Sequence, residues 1–260
     1  FRTLHQRALR ILSFTDTSDH AEPGEADEAG ALNALSDLEI VSLGHDLAAG
    51  RLADWLEAGP PAAEGDRPRP LGVDVVGVLR PVEGDATLVS LSDGSRAVAI
   101  DLTEILAEDE AILARLLADV ERPKLVADAK GSWHALSARG LTLDGVVADP
   151  SLAGYLCRPE QRSYDVETLT QRWLGIDLAA VNEDGAGGDG GPGESQSAFD
   201  LEALASDAIP ASHLASARRA AALLPLQAVL DEQMAARDAL GLFTDLEMPV
   251  AATLTVMENA

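Results

Sequence analysis

The chain has 260 residues, room for one large domain with attachments or two small ones. A formal charge of −25 argues against a main role in gripping phosphate backbones, which calls for clustered Lys and Arg. With 47% hydrophobic and only 3% aromatic residues, a core must be built from Ala, Leu and Val; the single cysteine, Cys157, excludes an intrachain disulfide and a cysteine metal cluster.

No run of about 18 apolar residues occurs, so the sequence predicts no membrane span, and no signal peptide opens it. Cys157 reads as a small core residue of a reduced, cytoplasmic protein. Phe1 stands first in place of Met, and Met257, Glu258, Asn259 and Ala260 close the sequence in mid-pattern, so both ends read as cuts from something longer.

Residues 1–14 are basic, free of acid and carry a helical stripe of Leu4, Ala8, Leu9, Ile11 and Leu12. Residues 15–70 read as an acidic and Pro-rich linker holding a short strand at 38–43 and a short helix at 46–58 with Trp55. Its first part, 15–33, has almost no large apolar side chain and cannot offset the entropy of ordering. Pro60, Pro61, Pro68 and Pro70 stiffen its end.

From residue 71 the pattern changes. Residues 71–79, 87–91 and 97–100 predict three strands of an antiparallel meander, with turns at 83–85 and 92–95. Thr103 is placed to cap a helix whose Ile105, Leu106, Ile112, Leu113, Leu116 and Leu117 recur near helical period, stopped before Pro123. A strand at 124–127, a helix at 132–139 and a strand at 145–148 follow; Asp149 and Pro150 then supply an N-cap and an N1 proline. This order predicts an α/β fold, a mixed sheet flanked by helices. The Gly-rich stretch 184–193 lacks the Lys-Ser/Thr ending of a phosphate loop, and helices resume near Ser197 and over 211–239.

The stretches 71–78 (LGVDVVGV), 124–136 (KLVADAKGSWHAL) and 143–159 (LDGVVADPSLAGYLCRP) together resemble the three-motif 3′→5′ exonuclease domain of bacterial family A DNA polymerases, the DNA polymerase I family. Residues 246–258, with Glu247, Pro249, Met257 and Glu258, resemble the helix leading into that family's polymerase thumb; residues 1–14 resemble the tail that follows its 5′-nuclease domain. The actinobacterial branch, where proofreading residues are often lost, looks closest. The resemblance implies a ribonuclease H-like sheet and four parts. These are a 5′-nuclease tail (1–14), the linker (15–70), a degenerate exonuclease-like domain (71–225) and the start of the polymerase domain (226–260). It also implies a parent that copies DNA from deoxynucleoside triphosphates with Mg²⁺, in replication and repair. None of the polymerase's catalytic residues fall in this chain, which is expected to need no cofactor of its own, to avoid membranes and to be monomeric.

Two-metal phosphodiester hydrolysis needs several carboxylates to hold hard cations. The resemblance lays the first motif's Asp and Glu on Asp74 and Val76, two apart and therefore on one strand face. It lays the second motif's Asp on Ser132, which reads as a helix cap, once Lys130 is set on the family's lysine. The Tyr and Asp of the third motif fall on His213 and Ala217, and nothing acidic lies between Asp207 and Asp231. Of four metal-binding carboxylates only Asp74 remains, so the resemblance implies an inactive, scaffolding domain. Without metal or partner, Asp74→Asn is expected to leave the melting temperature unchanged or slightly raised, with Val76 packing beside it.

Two alternatives stay open. One is an active exonuclease with its metal site relocated to Asp74, Asp128 and Asp149, although Asp128 reads as a loop residue and Asp149 as a cap. The other is a free-standing acidic interaction module. Lys130, Arg158, Arg162 and Arg172 are candidates for a modest basic edge touching DNA. His134 reads as a surface or packing residue, and Tyr155 and Trp173 as helix-packing aromatics.

Overall fold

The computed structural model describes residues 35, 37–44, 51–59, 68–180 and 209–258. The expectations for residues 1–33, the Gly-rich stretch 184–193 and a helix near Ser197 lie outside the described residues.

Six strands form one mixed sheet: β1 (Glu39–Leu43), β2 (Leu71–Val78), β3 (Asp85–Ser92), β4 (Arg96–Asp101), β5 (Lys124–Val126) and β6 (Val146–Ala148), in the order β1-β4-β3-β2-β5-β6. β2, β3 and β4 are the expected antiparallel meander; β5 and β6 add in parallel beyond β2. The β3–β4 turn closes locally, because the Asp93 carboxylate accepts the amides of Ser95 and Arg96.

Alternation along β2 divides the core. Leu71, Val73 and Val75 point into one apolar cluster, which α1 (Arg51–Glu57), α2 (Ala107–Ala118) and α3 (Ala129–Ala138) cover. Gly72, Asp74 and Val76 point the other way, towards the cluster formed with α4 (Pro150–Cys157), α5 (Val166–Leu174) and α6 (Ala211–Ala236). The last helix, α7 (Leu240–Glu258), holds a π-helical turn at Phe243–Glu247.

α6 lies so close over β2 that a Cβ on Gly72 would meet the Ala220 carbonyl oxygen at 1.9 Å. Both atoms in this clash belong to backbone, so it is relieved only by moving the helix. Gly72→Ala is expected to destabilise the domain by about 2–3 kcal/mol, read from urea unfolding; an unchanged midpoint would mean that α6 does not ride on β2.

Several details differ from the sequence-based expectation. The strand and helix expected inside a linker are parts of the domain: β1 pairs in parallel with β4, from Glu39 opposite Arg96 to Leu43 opposite Ile100. Leu43, Leu52 and Trp55 are buried in the same cluster as β2. Arg96 secures Trp55 by donating to its carbonyl at 3.1 Å and stacking its guanidinium 5.0 Å from the ring centroid. α2 begins at Ala107 rather than after Thr103, whose amide and hydroxyl are taken by the Asp101 carboxylate in a preceding turn.

α3 starts at Ala129, three residues before the expected cap at Ser132. Its cap is Asp128, in left-handed conformation with φ 47°, which accepts the Gly131 amide; aspartate tolerates that conformation because its short carboxylate bonds locally. Tyr155, expected to pack between helices, is 48% exposed and meets Tyr164 edge to face, whereas Trp173 is buried as expected. Cys157 is a core residue whose burial pushes its thiol up to about 11. Lys124 is fully buried, all three of its ammonium protons taken by the carbonyls of Asp119, Arg122 and Asp144.

Candidate functional site

Asp74 and Val76 share the β2 face covered by α6, as their spacing requires. Val76 packs against the apolar cluster there. The Asp74 side chain, only 9% exposed, is held by two residues one turn apart on α6. Ser216 Oγ donates to Oδ2 at 2.6 Å. The Arg219 guanidinium donates through Nε at 3.1 Å to both oxygens and through a terminal amino group to Oδ2 at 2.9 Å. Its other amino group reaches Glu167 Oε1 on α5 at 3.2 Å. Burial works against the Arg219 charge, but Asp74 and Glu167 outweigh it and hold the group firmly protonated.

The Asp74 carboxylate is therefore engaged by an internal cation. A guanidinium neutralises it in a fixed planar fork. It fills the lone-pair sites of the carboxylate with N–H donors and, unlike a divalent metal, has no open coordination position in which to bind a water and lower its pKa.

The other positions laid on the motifs do different work. Ser132 is fully buried one turn inside α3 and directs its hydroxyl to the Ala127 carbonyl at 3.4 Å. His213 shares a 2.7 Å hydrogen bond with Ser42 on β1 and stands 3.9 Å from Asp101, joining α6 to the β1–β4 edge; burial lowers its pKa against the pull of Asp101 and Glu104. Ala217 is a fully buried core residue.

Asp128 and Asp149 do come together, but as a joint cap. Asp149 Oδ1 accepts the amides of Asp128, Ser151 and Leu152, and Oδ2 accepts that of Ala129 at 2.9 Å, so one carboxylate closes the starts of α3 and α4. Burial pushes its pKa up to about 6, against the amides of Ala129, Leu152 and Ser151 and with a further push from Asp128. Among the described residues, no group of three or more His, Cys, Asp or Glu is arranged to hold a metal ion.

The four basic candidates do not make one edge. Lys130 is on α3, on the opposite face of the sheet from α4 and α5, and its ammonium is 2.6 Å from Glu258. Arg158 ends α4 within 3.9 Å of Glu160, Arg162 lies exposed in the following loop, and Arg172 is exposed in the last turn of α5. His134 is more committed than the sequence suggests: it is buried, with Nε2 2.9 Å from Glu258 Oε2. Sequence reasoning missed Arg219 because the third-motif search looked for acids. A basic pair, Arg218 and Arg219, on a helix due to cover Asp74 was the available signal.

A mixed sheet with a long helix laid over the strand that carries Asp74 defines the class as a ribonuclease H-like exonuclease fold. Escherichia coli RNase D, an exoribonuclease, has the same fold, with a TM-score of 0.54 at 16% identity over 86% of this chain and 51% of that one. Within the class the assignment is narrower. Residues 82–185 match the family model of the DNA polymerase I ribonuclease H-like domain. DNA polymerase I of Mycobacterium tuberculosis H37Rv is 36% identical over 220 residues, 84% of this chain. The polymerase domain of M. smegmatis Pol1, solved with DNA primer-template and dNTP, gives a TM-score of 0.61 at 33% identity over 83% of this chain and 31% of that one. The chain belongs to the DNA polymerase I family, and it spans 22% of the length of the M. tuberculosis relative.

Proposed function

We propose that this chain is the linker and exonuclease-like part of a DNA polymerase I, that its exonuclease-like domain has no hydrolytic activity, and that it serves as a scaffold placing the polymerase relative to the 5′-nuclease. The whole protein then makes DNA in replication and repair, as a cytoplasmic monomer, from deoxynucleoside triphosphates with Mg²⁺ in the polymerase domain. The M. smegmatis relative bound to primer-template and dNTP supports that part of the reading. The observation that carries the inactive site is the closure of Asp74 by Ser216 and Arg219, beside an aliphatic Val76. One engaged carboxylate cannot hold two divalent ions.

The test is mononucleotide release from end-labelled single-stranded DNA with Mg²⁺ or Mn²⁺. No release above the buffer control is expected. Release abolished by Asp74→Ala would overturn the reading.

A further inference from the structure

α7 passes from one face of the domain to the other. Phe243 and Met248 near its start are buried in the cluster under α6, while Glu258 at its end reaches α3 on the opposite face. There Glu258 meets two cationic or protonatable groups set four residues apart on one side of α3. Lys130 Nζ is 2.6 Å from Oε1 and His134 Nε2 is 2.9 Å from Oε2. His134 is 2% exposed, so one arm of the contact is anchored inside the domain, and the hydrogen bond from Lys130 first, then that with His134, holds the Glu258 carboxyl below its usual range.

Between the two anchors, Leu246, Val250 and Leu254 are each 40–46% exposed at intervals of four residues, a single stripe along α7. By length and composition α7 is also apolar enough to cross a membrane, yet both its ends are tied to this domain.

We propose that Glu258, Lys130 and His134 form a clamp that fastens α7 to the exonuclease-like domain and fixes the direction in which the Leu246–Val250–Leu254 stripe faces. This rests on the scaffold reading and gives the scaffold its fastening: the domain sets the azimuth of the helix that, by the family resemblance, continues towards the polymerase.

The sign of one substitution separates the clamp from an unattached helix end. Alanine is a better helix former than glutamate, so Glu258→Ala in an unclamped helix would slow amide exchange over residues 253–257 or leave it unchanged. With the clamp, exchange there accelerates by about tenfold while α6 amides keep their protection. Lys130→Met should act in the same direction, and the double variant should be no worse than the more severe single one. Unchanged or slower exchange in Glu258→Ala, or additive effects in the double variant, would overturn the clamp. That failure would leave the nuclease assay untouched, just as nuclease activity would defeat the scaffold reading without bearing on exchange in α7.

Discussion

Arg219→Ala is expected to destabilise the domain by about 3 kcal/mol, seen as a lower urea midpoint. The change removes the guanidinium on the Asp74 carboxylate and leaves it, 9% exposed, with the Ser216 hydroxyl as its partner among the described residues. Breaking a buried pair by deleting one partner is costly because the survivor keeps its desolvation penalty. The lower end of the usual range applies, since Arg219 is itself 21% exposed and water can re-enter. Asp74→Asn should also destabilise, by about 1–2 kcal/mol. This corrects the sequence-based expectation of a neutral or stabilising change, which took Asp74 to be without a partner. Replacing both residues should cost less than the sum of the single effects. A midpoint for Arg219→Ala within experimental error of the parent would show that the contact carries no stability.

Asp149→Ala is expected to cost about 3 kcal/mol, because four amides at two helix starts lose one shared acceptor. Asp149→Asn should cost less but not nothing, since the amide nitrogen that replaces one carboxylate oxygen donates and cannot accept. The pH dependence has a definite sign. The folded-state pKa is raised from 3.8 to about 6, so the folded protein binds the proton more tightly than the unfolded chain. The contribution of this group is therefore full below pH 3.8 and is lost as the pH rises through about 6. Between those limits the parent should lose roughly 3 kcal/mol relative to Asp149→Asn, which lacks the titrating group. Parallel stability curves over that range would contradict the assignment.

The parts of this molecule legible in its sequence are those decided locally. The meander shows in alternating apolar residues, and the Asp149–Pro150 helix start shows because a cap and an N1 proline are neighbours in the chain. β1 and α1 were legible as elements but not as members of the sheet. A parallel edge pairing such as Val41 with Val98 joins residues far apart in sequence and leaves no local pattern. The site divides in the same way. Asp74 and Val76 on one face followed from strand geometry, whereas Arg219 meets Asp74 only after α6 has docked on β2, a pairing that no spacing rule encodes. The clamp on Glu258 was hidden for the same reason, since its partners Lys130 and His134 lie 128 and 124 residues away in sequence.

The central claim is that a fixed guanidinium stands in for exchangeable metal at Asp74. Calorimetric titration of Mn²⁺ into the parent chain, with Asp74→Asn as control, tests it most directly. The same weak, featureless heats are expected for both proteins, because Arg219 and Ser216 already use the carboxylate. A saturable isotherm in the parent that disappears in Asp74→Asn would contradict it.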